Sequence, residues 1–280
     1  MVSFPNCKIN LGLKILRRRA DGFHDLETIY YPLPLCDILE AAPSTHLQFT
    51  PTGRPIPGDP DANLAVRAWH LLRHDFPDLP FAHIHLHKQI PIGGGLGGGS
   101  ADGAFMLQLL NRQFRLGLET DRLVNYATQL GSDCPFFLIN RPCLGQGRGE
   151  RLELLTLDLS AWAILLVHPG VHISTAEAFA RCHPDESTPS LSRLIVQPVS
   201  QWRNILINDF EAALFPQYPI LQEIKQILYD RGALYASMTG SGSCLFGIFE
   251  KGKAPANGWD PRCEVIPISE KQANASILQK

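Results

Sequence analysis

Residues 83–111 read HIHLHKQIPIGGGLGGGSADGAFMLQLLN, an alternating stretch that runs into six glycines around one leucine and then into an apolar helical pattern. Glycine loses more conformational freedom on folding than any other residue, so this density implies something the backbone must approach closely. A glycine turn between a strand and a helix N-terminus suits a phosphate. Backbone N–H groups close around the anion, and the helix contributes its partial positive charge. A flexible linker is the plainer reading, but linkers rarely sit so tightly between two regular elements. No lysine follows the glycines, which excludes G-x-x-x-x-G-K-[ST]. Gly93, Gly95 and Gly98 satisfy G-x-G-x-x-G. However, Pro91 breaks the alternating strand ahead of them, unlike the buried apolar strand of a dinucleotide-binding unit. A nicotinamide-dependent oxidoreductase is therefore the lesser reading of this loop.

Working outward, a chain of 280 residues predicts two domains rather than one. The net charge of −2 offers no argument for a nucleic-acid partner. Seven cysteines stand singly, with no C-x-x-C pair, which fits reduced thiols better than a disulfide framework. Lys8 and Lys14 interrupt the first apolar run, unlike a signal peptide, and no apolar segment reaches the roughly 18 residues of a membrane span. The expectation is a cytoplasmic protein without a membrane partner; oligomeric state is not legible.

Near the start, CKINLGLKIL alternates, with Cys7, Ile9, Leu11, Leu13 and Ile15 on one face. That predicts a half-buried strand whose exposed face carries Lys8 beside Asn10. LETIYYPLPL predicts a second strand and residues 63–76 a helix. The apolar run at 101–110 predicts another helix, and 120–130 one that stops at Gly131. A strand at 162–167 opens the second half. Ser174 with Glu177 has capping-box spacing, residues 219–233 are amphipathic, and 234–249 predict two strands around a small-residue turn. EKQANASILQK at the end predicts a loosely held tail. Strands and helices mix in both halves without a regular βαβα run, so the fold class is α+β, divided at 1–155 and 156–280.

Pro91, Gly95, Leu96, Ser100 and Ala101 match P-x-x-x-G-L-x-x-x-S-A, which resembles the ATP loop of the GHMP small-molecule kinases. PNCKINLGLKILRRRADGFHDLETIY, LGSDCPFFL, HPGVHIST and MTGSGSCLFGIF occur in order around it. Together they are similar to one family of that superfamily, the kinases of 4-diphosphocytidyl-2-C-methyl-D-erythritol in non-mevalonate isoprenoid biosynthesis. The resemblance implies a ribosomal-protein-S5-domain-2-like N-terminal half and a ferredoxin-like C-terminal half. It implies transfer of the ATP γ-phosphoryl group, with Mg²⁺ whose protein ligands are unknown, to the 2-hydroxyl of the methylerythritol part. No residue is assigned as a resident metal ligand.

Residue by residue, the resemblance makes Asp133 the catalytic base and Lys8 the catalytic lysine. From local sequence alone, Asp133 reads first as a helix cap ahead of Pro135. ATP would lie against Asn63, Lys88, Pro91 and Ile92, then Gly93, Gly94, Gly95, Leu96, Gly97, Gly98 and Gly99, with Ser100 and Ala101. Ser100 could cap the helix or give its hydroxyl to a phosphate. The cytidine-diphosphate-linked alcohol would meet Asn10, Phe23, His24, Thr175, Phe179, Gly240 and Ser241. Phe23 and Phe179 would stack on the base, and His24 would read its polar edge.

Three departures stand out. Phe23 replaces the usual tyrosine. Gly103 stands where alanine is common, which should loosen the helix. Asp102 puts a negative charge near the phosphates, which makes sense if Mg²⁺ or water intervenes. His83, His85 and His87 share one strand face and are expected to be solvated. Arg17 to Arg19 read as a solvated turn or a charged rim for a diphosphate. A sister kinase of the homoserine or mevalonate type, or a non-catalytic nucleotide-binding module, would use the same loop.

Overall fold

A computed structural model describes residues 1–187, 189–255 and 257–268. The tail expected at 270–280 lies outside the described residues. The N-terminal third contains β1 (Val2–Ser3), β2 (Asn6–Arg18), β3 (His24–Cys36), β4 (Ile38–Pro43), β5 (Gln48–Gly53), α1 (Leu64–Asp75) and β6 (Ala82–Lys88). There follow α2 (Gly98–Gln113), α3 (Thr120–Leu130), α4 (Cys134–Ile139), β7 (Cys143–Gly147), β8 (Arg151–Leu154) and β9 (Trp162–His168). The last part holds α5 (Thr175–Arg181), α6 (Leu191–Leu194), α7 (Asp209–Leu214), α8 (Pro219–Asp230), β10 (Tyr235–Met238), β11 (Leu245–Glu250) and β12 (Glu264–Ile268).

These elements form two compact units that do not follow chain order. The first comprises Met1–Cys7, Leu35–Ile92 and Gly97–Arg141; the second comprises Lys8–Pro34, Gly93–Leu96 and Pro142–Lys280. The chain thus passes from one unit to the other twice within the glycine run.

In the first unit the sheet order is β1-β4-β6-β5, with β6 antiparallel to β4 and parallel to β5. This mixed sheet is not a dinucleotide-binding βαβ unit, in agreement with the alternation of the β6 sequence. Asn63 caps α1, its side-chain oxygen accepting from Ala65 N at 2.9 Å. Gly103 does more than loosen α2: a Cβ there would meet Leu64 Cβ at 3.0 Å, so the glycine permits the close approach of α1.

The second unit holds two sheets, β2-β3-β7-β8 and β10-β11-β9-β12. In the latter every pairing is antiparallel, and the order is that of a ferredoxin-like sheet with β9 as its first strand. The amphipathic α8 buries Leu221, Ile224 and Leu228 in a core with Leu165, Val167 and Phe249. Each such side chain contributes roughly 1.5–3 kcal/mol of burial. The α+β class is as the sequence predicts.

β2 departs from expectation. Both of its faces are buried, Lys8 and Asn10 being only 2% exposed and Lys14 6%. The polar face is covered by parts of the same unit that are distant in sequence. Lys8 N donates to Leu96 O at 3.0 Å, and Leu13 N to Ile207 O at 2.9 Å. The Lys14 ammonium donates to the Pro189 carbonyl.

Candidate active site

The glycine run ends in α2, whose N-cap is Gly97 in a left-handed conformation (φ 72°) with no side-chain cap bond. Ser100 therefore lies inside the helix and does not cap it; its hydroxyl bonds the Cys134 thiol, whose pKa burial pushes up to about 12. The first turn of this 16-residue helix presents glycine backbone to its N-terminal side. A Cβ on Gly99 would meet nothing within 4 Å, so the space beside it is open. Such a helix start is suited to an anion.

Beneath that turn is a buried charge cluster that sequence reading missed. Lys88, 4% exposed, places Nζ 2.5 Å from Asp37 Oδ2 and 2.8 Å from Asp102 Oδ2. Asp37 Oδ1 also accepts from Gln89 N at 2.6 Å and Ile90 N at 2.9 Å, pinning the turn out of β6. Asp102 Oδ2 thus pairs with Lys88, a partner its position in the sequence does not mark. One ammonium cannot compensate two carboxylates fully. Burial, with the Asp37 charge adding to it, raises the Asp102 pKa to about 8 against the pull of Lys88. Burial also disfavours the Lys88 ammonium, but the two carboxylates outweigh this and its pKa rises. Asp102 Oδ1 has no hydrogen-bond partner among the described residues.

Two results are expected here. Lys88→Met leaves the buried Asp37–Asp102 pair without its cation and should cost about 3–5 kcal/mol. Asp102 keeps its proton to a higher pH in the fold than in the unfolded chain, where the usual value is 3.8. The fold then binds more protons between about pH 4 and 8, and stability falls as pH rises through that window. Asp102→Asn should flatten the slope, read as thermal midpoints at pH 5 and 8.

In the second unit, the Lys8 ammonium donates to Asn10 Oδ1 at 2.6 Å and to the Gly95 carbonyl at 2.8 Å. It also lies 5.6 Å from the centroid of the Tyr30 ring. The lysine missing from the loop itself is therefore supplied to it by β2. Leu96 is buried and anchors the middle of the run. Gly95 (φ +73°) rests on the turn after β10, where a Cβ would overlap the Thr239 carbonyl oxygen. Gly93 and Gly94 face imidazoles: Cβ atoms there would come 2.5 Å from His172 Nδ1 and 3.2 Å from His168 Cδ2. Close approach within the protein accounts for these three glycines.

The residues expected at the nucleobase fall in the same unit. His24 stacks on Phe179, with centroids 5.0 Å apart and planes 16° from parallel. Phe179 meets Phe210 edge-on at 5.0 Å and lies against the core of the unit. Burial and the nearby Arg18 lower the His24 pKa, which favours the neutral ring at pH 7. Phe23 is half exposed, and the Arg148 guanidinium covers one face at 4.1 Å from the centroid. Thr175 Oγ1 and Ser241 Oγ are 3.2 Å apart, so these two are brought together as well. Ser174 caps α5 by accepting from Glu177 N at 3.1 Å.

In the first unit, Asp133 occupies the N-cap position of α4 but makes no side-chain cap bond. The local reading of Asp133 as a cap thus fails. Pro91 is buried and Ile92 half-buried, and Ala101 is fully buried in α2. His83 and His85 each place Nε2 2.9 Å from a threonine hydroxyl, of Thr50 and Thr52, and His87 Nδ1 is 3.0 Å from Thr52 Oγ1. Arg17 and Arg19 pair with Asp25, and Arg19 also with Asp21, in an exposed turn. All seven cysteines are free, and among the described residues no helix is long and apolar enough to cross a membrane.

Comparison with known proteins identifies the family and the fold. The GHMP kinases N terminal domain matches residues 63–141 and the GHMP kinases C terminal domain residues 198–264. The chain is 48% identical to the 4-diphosphocytidyl-2-C-methyl-D-erythritol kinase of Bacteroides thetaiotaomicron, over 92% of this chain and 96% of that one. It is 48% identical to the enzyme of the same name from Azobacteroides pseudotrichonymphae, over 91% and 96%. A crystal structure of 4-(cytidine 5'-diphospho)-2C-methyl-D-erythritol kinase superposes with a TM-score of 0.76 at 29% identity, covering 99% of this chain and 96% of that one. Mevalonate kinase of Methanococcus jannaschii shares the fold, with a TM-score of 0.67 at 13% identity over 90% and 92%. With a glycine run leading into a helix start, a lysine laid onto it and this likeness along nearly the whole chain, the protein is an ATP-dependent small-molecule kinase that belongs to the 4-diphosphocytidyl-2-C-methyl-D-erythritol kinase family of GHMP kinases.

Proposed function

We propose that the chain transfers the γ-phosphoryl group of ATP to the 2-hydroxyl of 4-diphosphocytidyl-2-C-methyl-D-erythritol. The observation that carries this reading is the Lys8 ammonium held on the Gly95 carbonyl and Asn10, which places a cation at the phosphate loop. Phosphoryl transfer asks for in-line positioning and neutralisation of charge rather than covalent help. Lys8 orients the hydroxyl and stabilises the transferring group, while Asp133 accepts the hydroxyl proton. The backbone from Gly93 to Gly99 and the uncapped start of α2 receive the nucleotide, with Pro91, Ile92, Ser100 and Ala101 shaping its border. Mg²⁺ arrives on the ATP phosphates as part of that substrate. Asn63 lies on the adenine side, whereas Lys88 acts there through Asp37 and Asp102.

For the alcohol, His24 and Phe179 form the aromatic platform, with Phe23 and Arg148 beside them. Asn10, Thr175, Gly240 and Ser241 contact the remainder. Opening the His24–Phe179 stack by a cytosine would exchange one aromatic contact for two. The halves 1–155 and 156–280 are read as the two family modules, since each matched region falls inside one of them. We read the enzyme as cytoplasmic, a reading supported by its seven free thiols and by the reaction class.

The test is ADP release with a panel of alcohols, with and without Mg²⁺. Release is expected to be fastest with the cytidine-diphosphate-linked methylerythritol and to need the metal. If homoserine or mevalonate drives it better, the substrate assignment is wrong and the kinase assignment stands.

A further inference from the structure

We infer that Thr239 and Asn208 are positioning residues for Lys8, setting its ammonium through two buried layers of hydrogen bonds. Thr239 and Asn208 are both fully buried. The Thr239 hydroxyl accepts from Asn10 N at 3.1 Å. Its own proton is shared between Asn10 Oδ1 at 3.2 Å and the Gly95 carbonyl at 3.3 Å. Those two oxygens are the acceptors that the Lys8 ammonium uses. Thr239 therefore holds both ends of the lysine's seat, one on β2 and one on the glycine loop. The Asn10 amide is steadied further by donating to Thr28 Oγ1 at 2.9 Å, whose hydroxyl donates to Gly12 O at 2.7 Å.

Asn208 fixes Thr239 in turn. Its Nδ2 donates to Met238 O at 2.8 Å and to Gly240 O at 2.9 Å, the carbonyls on either side of Thr239. Its Oδ1 accepts from Phe210 N at 3.0 Å, capping α7. Two carbonyl acceptors and one N–H donor leave a single orientation for this amide. Glu211 adds a brace, accepting from Met238 N at 2.8 Å and Ser237 Oγ at 3.1 Å, with Lys225 Nζ 2.5 Å from its other oxygen. A side chain that merely filled space would need none of this. The pattern aims one hydroxyl at the two oxygens that seat a single ammonium.

This inference rests on Lys8 acting at the transferring phosphate, and the experiment separates the two claims. Asn208→Ala removes a helix cap and two buried donors together, so Thr239→Val, close in shape, carries the test. Misplacing a reacting group by a fraction of an ångström should lower kcat by roughly 10–100-fold, with KM for ATP and alcohol within about threefold. Thr239→Ser, which keeps the hydroxyl, should restore kcat to near wild type. In a Lys8→Ala background Thr239→Val should change the residual rate by less than about twofold, since positioned and positioner act as a unit. If Lys8→Ala is inactive but Thr239→Val keeps wild-type kcat, the positioning role is refuted and the lysine assignment stands. Equal loss in both backgrounds, or no rescue by serine, refutes it as well. If Lys8→Ala itself turns over normally, both claims fall.

Discussion

Asp133→Asn is expected to lower kcat by about 10²-fold or more, the contribution of a well-placed general base, with an unchanged thermal midpoint. The second half of that expectation comes from geometry. Asp133 sits in ordinary helical backbone (φ −84°, ψ −15°) at the start of α4, and its side chain caps no N–H there. Asparagine matches it in size and is as good a cap, so a structural role would survive the change. The change removes the carboxylate charge and with it the capacity to accept a proton. Steady-state ADP release beside a calorimetric scan decides the matter. Near-wild-type turnover would remove Asp133 from the reaction.

Gly95→Ala is expected to be the most damaging single methyl in the glycine run. An L-residue at φ +73° carries about 1–2 kcal/mol of strain. The added Cβ would overlap the Thr239 carbonyl oxygen and come 3.0 Å from its carbon and 3.2 Å from Gly242 N. These are backbone atoms that cannot swing aside, so overpacking adds about 1–3 kcal/mol more. Turnover should vanish too, because a shift of the Gly95 backbone moves its own carbonyl, one of the two oxygens that seat Lys8. Gly99→Ala is the contrast. Its Cβ meets nothing within 4 Å, so urea midpoints should hold steady while KM for ATP rises. An unchanged urea midpoint in Gly95→Ala would show that the loop does not rest on the turn after β10.

Elements with local signals were legible. Asn63 and Ser174 sit at the caps their spacing marks, and 219–230 forms the amphipathic helix its periodicity requires. The phosphate-loop reading followed from the place of the glycines between a strand and a helix. The burial of the Lys8 face did not follow. Alternation shows which face of β2 is apolar, but the polar face is buried by Thr239, Ile207 and Pro189, far along the chain. Lys88 shows the same limit: its partner Asp37 lies 51 positions earlier, in a stretch with no motif. The Thr239 signal was present as its place beside Gly240, whereas Asn208 looked like any residue ahead of a short helix. The aromatic side chains themselves were recognisable in the sequence, but the stacking of His24 on Phe179 was not.

The contact between Gly95 and the turn after β10 also has a bearing on when the enzyme becomes competent. Its partners are 144 positions apart, and the later one lies in the last sixth of the chain. At translation speeds of about 5–20 residues per second, the glycine run leaves the ribosome on the order of ten seconds before Thr239 does. During that interval the turn against which Gly95 is shaped does not exist, and neither does the hydroxyl shared between Gly95 and Asn10. A nascent chain can already hold the helices of its first unit while Gly95 still lacks its contact with Thr239. Assembly of the complete seat for Lys8 is thereby deferred to the close of synthesis.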